Sequence, residues 1–455
     1  MTKNFKDKKV AVLGLQMEGK ELVNFLLKQG ARITVYDQKK EDELDFGGID
    51  KSKVKLVCGK DYLSQGLSDF DTIFRSPGFY RYMPEIIEAE KSGVEISSAI
   101  KLFFDLCPGK IIGVTGTKGK GTTSTLIYEI LKASNKDMYL AGNIGKPFLE
   151  LLPKLNKNSW VVLELSSFQL IDLTKSPHIA VVLNITADHL DWHKDRKEYV
   201  DAKKNIVKFQ NKNDFAVLNS DYKDSKSFDK LTKAKTYFFS KKNRVTGSYV
   251  DKEKLILDID GKTQRIGEVL KLKLRGEHNW ENVTAAICAS SLAGASIKSI
   301  RKVVFSFQGL EHRLELVGKY KGVDFYNDSF STNPQTTTAA IHSFTEPITL
   351  ILGGFDKGLK YDGLAEEIVK KKNVQTIILI GDIAPKIKRS LEKAKYKGKI
   401  LDLKKNSMKK IVQKAFENTS KGGVILLSPA SSSFDMFENY KVRGNLFKKA
   451  VKMLK

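Results

Sequence analysis

Between an apolar run and a segment of helical spacing lies Gly113-Val-Thr-Gly-Thr-Lys-Gly-Lys-Gly-Thr-Thr123. Closely spaced glycines let backbone N–H groups turn inward, and a following helix N-terminus adds positive charge, so such a loop cradles phosphate oxygens. Lys120 would reach the terminal phosphates, and Thr122 would offer its hydroxyl to Mg²⁺. The strict GxxxxGK[ST] spacing is broken twice: Val114 stands at its first glycine, and Gly121 follows the lysine. A plain tight turn between strand and helix is the competing reading.

Two further polar clusters leave apolar runs, Glu164-Leu-Ser-Ser-Phe-Gln169 and Asn184-Ile-Thr-Ala-Asp-His-Leu-Asp191. Sites in α/β proteins gather at the C-terminal ends of strands. Glu164 and His189 are candidate Mg²⁺ ligands, with oxygen the donor that the ion takes more readily. Taken singly, each is as well explained as a capping or surface residue. Tyr199-Val-Asp-Ala-Lys203 reads by chemistry alone as a basic helix face, and His278-Asn279-x-x-Asn282 as a helix cap. Near the N-terminus, Gly14-Leu-Gln-Met-Glu-Gly19 has the outline of a dinucleotide turn. Gln16 holds the place of its middle glycine, so a pyrophosphate pressed against that backbone is disfavoured. Asp37 could still bond a ribose or a base.

These residues need strands and helices to carry them. Short apolar runs at Lys9–Leu13, Ile33–Tyr36, Lys55–Val57 and Thr72–Phe74 alternate with helical spacing over Glu21–Lys28, and Ser76-Pro77-Gly78 breaks the fourth. A second unit opens after Cys107-Pro108-Gly109, with strands at Ile111–Val114, Trp160–Leu163 and Ile179–Leu183, a β-rich portion over Asn211–Lys273 and a helix over Gly276–Ala293. A third begins near Gly309–Arg313, with strands at Val323–Tyr326, Ile348–Leu352, Thr376–Ile380 and Gly423–Leu427 and a helix over Pro334–Ser343. The pattern is α/β in three domains. A Rossmann-like N-terminal domain spans 1–108, a central P-loop-type ATPase domain 109–310 and a Rossmann-like C-terminal domain 311–455.

With 455 residues, 41% of them hydrophobic, the chain can bury a large core. Its formal charge is +25, but only eleven of its 78 basic residues are Arg, and the lysines are scattered along the whole length. That distribution forms no nucleic-acid-binding stripe and suits solvated faces, with some attraction for anionic substrates. Three distant cysteines, Cys58, Cys107 and Cys288, offer neither zinc spacing nor a disulfide framework and fit a reducing compartment. No run approaches the ~20 apolar residues of a membrane span, and Val10–Leu15 is too short for a signal-peptide core. The expectation is a soluble, cytoplasmic monomer.

Assembled in order, these motifs resemble those of the Mur ligase family along essentially the whole chain. The resemblance rests on Gly116-Thr-Lys-Gly-Lys120, Glu164 to Gln169, Asn184 to His189, Tyr199-x-x-Ala-Lys203 and His278-Asn279-x-x-Asn282. It continues through His312-Arg313, Asn327-Asp-Ser329 with Thr332-Asn333, Ser428-Pro-Ala430 and Arg443-Gly444. It implies an ATP-dependent amide-bond ligase of peptidoglycan precursor synthesis that takes UDP-N-acetylmuramoyl-L-alanine and D-glutamate. The implied ATP site is Thr117, Lys118, Gly119, Lys120, Gly121, Thr122 and Thr123, with His278, Asn279 and Asn282 on the adenine side and Arg313 and Asp328 reaching over from the third domain. Thr122, Glu164, His189 and Lys203 would hold two Mg²⁺ ions, with Lys203 carbamylated. Asp37, Ser76, Pro77 and Gly78 would line the uridine pocket, and Asn143 and Gln169 would touch the muramoyl group. Thr332, Lys357, Ser433 and Tyr440 would receive the amino acid.

Two positions depart from the family pattern. Gly121 stands where close relatives usually carry Ser or Thr. Phe330 stands where they usually carry Lys, which takes a cation from beside the expected amino-acid pocket. Three alternatives compete: a related ligase with another acceptor, as in folylpolyglutamate synthase; a nucleotide-binding regulator without catalysis; and a nucleic-acid-binding protein.

Overall fold

The computed structural model describes residues 4–64, 66–142, 147–186 and 192–454. Among these residues the strands form three sheets. The first contains β1 (Lys9–Leu13), β2 (Arg32–Asp37), β3 (Val54–Cys58), β4 (Thr72–Arg75) and β5 (Glu95–Ser97), ordered β3-β2-β1-β4-β5 and parallel throughout. The second contains β6 (Lys110–Thr115), β7 (Met138–Gly142), β8 (Trp160–Glu164), β9 (Ile179–Val182), β10 (Phe215–Asn219), β11 (Lys235–Ser240), β12 (Gly247–Asp251), β13 (Lys254–Ile259) and β14 (Lys262–Glu268). Its order is β14-β13-β12-β11-β10-β9-β6-β8-β7, with an antiparallel meander at the β14 edge. The third contains β15 (Glu315–Tyr320), β16 (Val323–Asn327), β17 (Ile348–Gly353), β18 (Val374–Ile380), β19 (Lys399–Asp402) and β20 (Val424–Leu427), ordered β15-β16-β20-β17-β18-β19 with only β15 antiparallel.

The parallel strands are short and apolar because helices cover both their faces. β6, β9 and β20 are buried along nearly their whole length. Strand order reverses at β1/β4 in the first sheet and at β6, between β8 and β9, in the second. Such reversals open a crevice at the strand C-termini, which is where ligands bind in open α/β sheets.

The packing makes two compact units, 1–271 with 280–304 and 272–279 with 305–455. The first unit holds two of the three sheets because their cores are continuous. Phe103, on the helix Ala99–Leu106, meets Phe148 edge-on at 5.7 Å, within one apolar cluster that runs from Val10 to Leu218.

Some local readings change. The helix over Met17–Lys28 begins four residues before the expected Glu21, with Gly19 inside it. A Cβ on Gly19 would lie 2.0 Å from the Gly14 carbonyl oxygen, so this glycine lets the helix pack on the β1 turn. β5, β7, β15 and β19, all edge strands, were not expected; β7 is only half-buried although residues 138–141 are apolar throughout.

Candidate active site

Gly116 and Gly119 shape the loop that leaves β6. Gly119 caps the helix Lys120–Ala133 with φ 89, and a Cβ there would meet Asn282 Oδ1 at 2.2 Å. A Cβ on Gly116 would meet Leu183 Cβ at 2.7 Å. Only glycine permits both that conformation and that closeness, so the turn packs tightly against Leu183 and Asn282. Lys120 Nζ donates to the carbonyls of Gly116 (3.0 Å) and Thr117 (3.1 Å), which keeps the ammonium over the loop. Gly121 is buried in the first helical turn, and Thr122 beside it is half-buried. Thr123 Oγ1 lies 3.3 Å from Asn282 Oδ1, so Asn282 packs against the loop and the helix start together.

The neighbouring strands bring in the other motifs. Glu164 ends β8 in register with Val114, and Leu183 and Asn184 follow β9 on the opposite side. The Thr117 N–H donates to the Asn184 carbonyl (2.7 Å), and the Lys118 N–H to Asn184 Oδ1 (3.1 Å). Thr117 Oγ1 accepts from the Thr186 N–H at 2.9 Å and lies 2.9 Å from the Tyr199 hydroxyl. Tyr199 and Lys203 sit four apart on the helix Arg196–Lys208, so both turn toward the loop. Lys203 is 1% exposed, with Nζ 3.2 Å from the Gly116 carbonyl oxygen, 3.3 Å from Thr115 Oγ1 and 4.7 Å from the Tyr199 ring centre. A lysine that by chemistry alone reads as part of a basic helix face is therefore buried beneath the loop after β6. His189 and Asn143 lie outside the described residues.

Sequence reasoning passed over the residues that join the segment after β8 and the helix Arg196–Lys208 to the end of β4. Buried Arg75 ends β4, and all five of its guanidinium N–H groups have acceptors. Nε and Nη2 donate to Asp172 Oδ2, Nη2 also to the Phe168 carbonyl, and Nη1 to the carbonyls of Ser76 and Phe79. Arg81 Nε lies 3.0 Å from the other Asp172 oxygen. His193, also buried, bonds Glu198 through Nδ1 (3.0 Å) and Ser167 through Nε2 (2.9 Å), and Glu198 accepts from the Tyr80 hydroxyl (2.8 Å). A charged residue closing the apolar strand Thr72–Phe74 was the one signal available for Arg75.

At the end of the first sheet, Asp37 accepts from the Leu15 N–H (2.9 Å) and the Lys39 N–H (3.0 Å), which ties β2 to the β1 turn. Ser76 Oγ donates to the Gly14 carbonyl, so Ser76, Pro77 and Gly78 stand beside that turn. Gln169 closes a capping box with Ser166 and donates from Nε2 to Glu18 Oε1 at 2.7 Å. Burial pushes the Glu18 carboxyl up to about 7, against the opposing pull of Gln169 and Arg75.

The second unit holds the remaining candidates. Asp328, one of the residues expected at the nucleotide, is 5% exposed. It accepts from the Leu314 N–H and from the hydroxyls of Ser331 and Ser428, and burial lifts it to about 6. Arg313 is half-buried, and its guanidinium carbon stands 3.9 Å from the centre of the Phe330 ring. Phe330 meets Tyr440 edge-on at 5.0 Å. Thr332 is half-buried, Lys357 is exposed on the loop after β17, and Ser433 is 1% exposed with no hydrogen-bond partner for Oγ among the described residues. A buried hydroxyl of that kind suits a polar ligand. Arg443 Nη2 donates to the carbonyls of Ser329 (2.9 Å) and Ser431 (3.0 Å), drawing together the two loops that carry these residues. His278 and Asn279 fall in the short segment 272–279 of this unit, and Asn279 Nδ2 donates to the Arg275 carbonyl.

Three family models match the chain: the Mur ligase MurD-like N-terminal domain over 8–98, the Mur ligase middle domain over 114–290 and the Mur ligase glutamate ligase domain over 312–431. The chain is 42% identical to a UDP-N-acetylmuramoylalanine–D-glutamate ligase of Acetivibrio thermocellus, over 99% of this chain and 97% of that protein. It is 40% identical to the enzyme of the same name from Clostridium kluyveri, over 99% of each. Among solved structures, MurF from Acinetobacter baumannii aligns at TM-score 0.63 and 15% identity, over 98% of this chain and 94% of that one. The UDP-N-acetylmuramate–alanine ligase MurC of Thermotoga maritima aligns at 0.60 and 17%, over 98% and 100%. These two likenesses carry the fold alone. Among the described residues no helix is long and apolar enough to cross a membrane.

Proposed function

The chain belongs to the Mur ligase family, and on that premise we infer that it joins D-glutamate to the carboxylate of UDP-N-acetylmuramoyl-L-alanine with ATP, in peptidoglycan precursor synthesis. The observation that carries this reading is the convergence of three motifs at adjacent strand ends: Glu164 on β8, the Gly116–Gly119 cradle on β6 and Asn184 to Thr186 after β9.

The residues suit the expected ligands. Methyl groups at Gly116 and Gly119 would strike Leu183 and Asn282, so the loop keeps a glycine backbone, whose N–H groups suit phosphate oxygens. Mur ligases use ATP and Mg²⁺. Here Thr122, Glu164 and a carbamylated Lys203 would hold the metal, with His189 completing the set for two ions. The metal supplies charge neutralisation between the reacting phosphates.

In the first step a carboxylate oxygen of the nucleotide substrate attacks the γ-phosphorus, the bond to the β-phosphate oxygen breaks, and ADP leaves. Lys120 and the loop amides offset the charge that spreads over the transferred group, so the protein acts chiefly through positioning and electrostatics. In the second step the amine of D-glutamate attacks the acyl carbon, the bond to phosphate breaks, and the amine gives up its proton. Arg313 would face the nucleotide. Asp37 with Ser76, Pro77 and Gly78 would take the uridine, and Asn143 with Gln169 the muramoyl group. Thr332, Ser433, Lys357 and Tyr440 would take the two carboxylates of the acceptor through donors and a cation. The acyl phosphate must be kept from water, or it hydrolyses before the amine reaches it. A reducing cytoplasm suits both the nucleotide substrates and the three free thiols.

The test is ADP release with UDP-N-acetylmuramoyl-L-alanine, with and without D-glutamate, against L-glutamate, D-aspartate and L-alanine. D-Glutamate should give the highest kcat/KM, and Lys120→Ala should lose on the order of 10²-fold or more in kcat. A higher kcat/KM with another amino acid would move the chain to a different acceptor within the family. Near-normal turnover of Lys120→Ala would remove the loop from the reaction.

A further inference from the structure

Arg313 is presented by a backbone under constraint. His312 (φ 64) and Leu314 (φ 46) both take the left-handed conformation, which such residues adopt only where their surroundings impose it. The constraints can be named. The Leu314 N–H donates to Asp328 Oδ1 (3.1 Å), the His312 N–H to Glu315 Oε2 (2.9 Å), and the Phe330 N–H to the His312 carbonyl (3.0 Å). The His312 ring bonds Asn327 through Nδ1, and a Cβ on Gly444 would come within 2.3 Å of that nitrogen. The loop is thus fixed on both sides of Arg313, and the guanidinium at its end lies over an aromatic surface.

Phe330 is that surface. Its ring stays 37% exposed and carries the Arg313 guanidinium on its face at 3.9 Å, well inside cation–π range. Tyr440 stands against Phe330 at an interplanar angle of 83°, and His312 against Tyr440 at 86° and 6.0 Å. Burial holds the His312 imidazole below its ordinary range, so it adds no competing cation. A lysine at 330 would set an ammonium against the guanidinium, whereas the phenyl ring attracts it.

We propose that Phe330, backed by Tyr440, is a positioning residue that holds the Arg313 guanidinium in the orientation in which it meets the anionic phosphates of the nucleotide. The exchange of a cation for a ring at this position therefore acts on the nucleotide side of the reaction. This rests on the reading above that Arg313 faces ATP, and the experiment separates the two. Affinity for a non-hydrolysable ATP analogue with Mg²⁺ is measured by calorimetry, alongside KM for ATP and for D-glutamate and the thermal midpoint.

Phe330→Leu keeps the bulk and loses the π face. It should weaken nucleotide affinity about 3- to 30-fold, the range of a cation–π contact, with an unchanged midpoint and little change in KM for D-glutamate. Phe330→Trp should match or exceed the native ring, and Phe330→Lys should be weaker than Phe330→Leu. Nucleotide affinity of Phe330→Leu equal to native, or a loss confined to D-glutamate, would overturn the platform. So would a falling midpoint with no rescue by Phe330→Trp. Arg313→Gln is the separate control. If it binds the analogue as the native protein does, the nucleotide-facing reading of Arg313 fails; if it binds poorly while Phe330→Leu binds normally, the platform alone fails.

Discussion

Lys203 Nζ lies 3.2 Å from the Gly116 carbonyl oxygen, beneath the loop that opens the phosphate cradle. A buried lysine there brings positive charge up to the underside of the cradle. Addition of CO₂ to its neutral amine, with loss of a proton, would replace that cation with an oxygen-bearing anion suited to Mg²⁺. Repelled by the Gly116 carbonyl, the new anion would turn toward the metal. Lys203→Ala should then be inactive and partly restored by short carboxylates, and Lys203→Arg should not be restored. Rates measured after CO₂ depletion should rise when bicarbonate is added back. Activity of unsupplemented Lys203→Ala, or a bare amine in the substrate-bound enzyme, would defeat the assignment.

Gly119→Ala tests the cradle itself. The left-handed backbone costs a side chain about 1–2 kcal/mol, and the new methyl would also sit 2.2 Å from Asn282 Oδ1. Gly48→Ala isolates the backbone component, since Gly48 has φ 88 with nothing within 4 Å of its Cβ position. The expected outcome is a modest stability loss with normal kcat for Gly48→Ala. Gly119→Ala should show a larger loss and a fall of tenfold or more in kcat. Equal effects in denaturant titrations and initial rates would mean that Asn282 yields freely.

What could be read from the sequence was local. The β6 loop, its helix and the apolar strands declare themselves through glycine spacing and continuous hydrophobic runs, which depend on neighbours in the chain. What escaped depends on partners far away in sequence. Arg75 finds Asp172 across 97 positions, and nothing near either residue announces the other. By its chemistry alone Lys203 reads as part of a basic helix face, and only the family resemblance singled it out; its burial shows once its helix packs beneath β6. Phe330 read as a cation lost from the acceptor pocket, because its contact with Arg313 exists only once β15 and β16 pair. β7 hid although residues 138–141 are apolar, because so short a run at a half-solvated edge shows no strand periodicity of its own.

Arg75 lends itself to a stability test. Its side chain is 1% exposed and its five N–H groups serve four acceptors, so truncation strands three carbonyls and leaves Asp172 to Arg81. Arg75→Ala should cost about 3–5 kcal/mol, as for a buried pair that loses one partner. Arg75→Lys should cost nearly as much, because one ammonium cannot span the carbonyls of Phe79 and Phe168. Replacing the pair, Arg75→Met with Asp172→Leu, should cost less than Arg75→Ala alone. Denaturant midpoints decide it, and a double variant as unstable as Arg75→Ala would mean that the neighbouring carbonyls, not the charge, dominate.

Glu21 and Glu18 give the first unit a pH dependence of defined sign. Both lie on the helix Met17–Lys28 where it meets segments of the second sheet: Glu21 Oε1 accepts from the Glu150 N–H at 3.1 Å, and Glu18 accepts from Gln169. Burial is the main cause that pushes each carboxyl up to about 7, and for Glu21 the charges of Glu150 and Glu18 add to it. With the folded value above the unfolded 4.5, the folded state binds the extra proton. The stabilisation is complete below about pH 4.5 and is lost as pH rises through about 7. Glu21→Gln keeps an acceptor for the Glu150 amide but cannot ionise. It should therefore be more stable than the native chain in mildly alkaline buffer, by a margin that shrinks toward pH 4.5. A flatter profile of unfolding midpoint against pH is the expected result. A margin that grows on acidification would require Glu21 to be ionised and favourably paired in the folded state, the opposite of what its burial between Glu18 and Glu150 dictates.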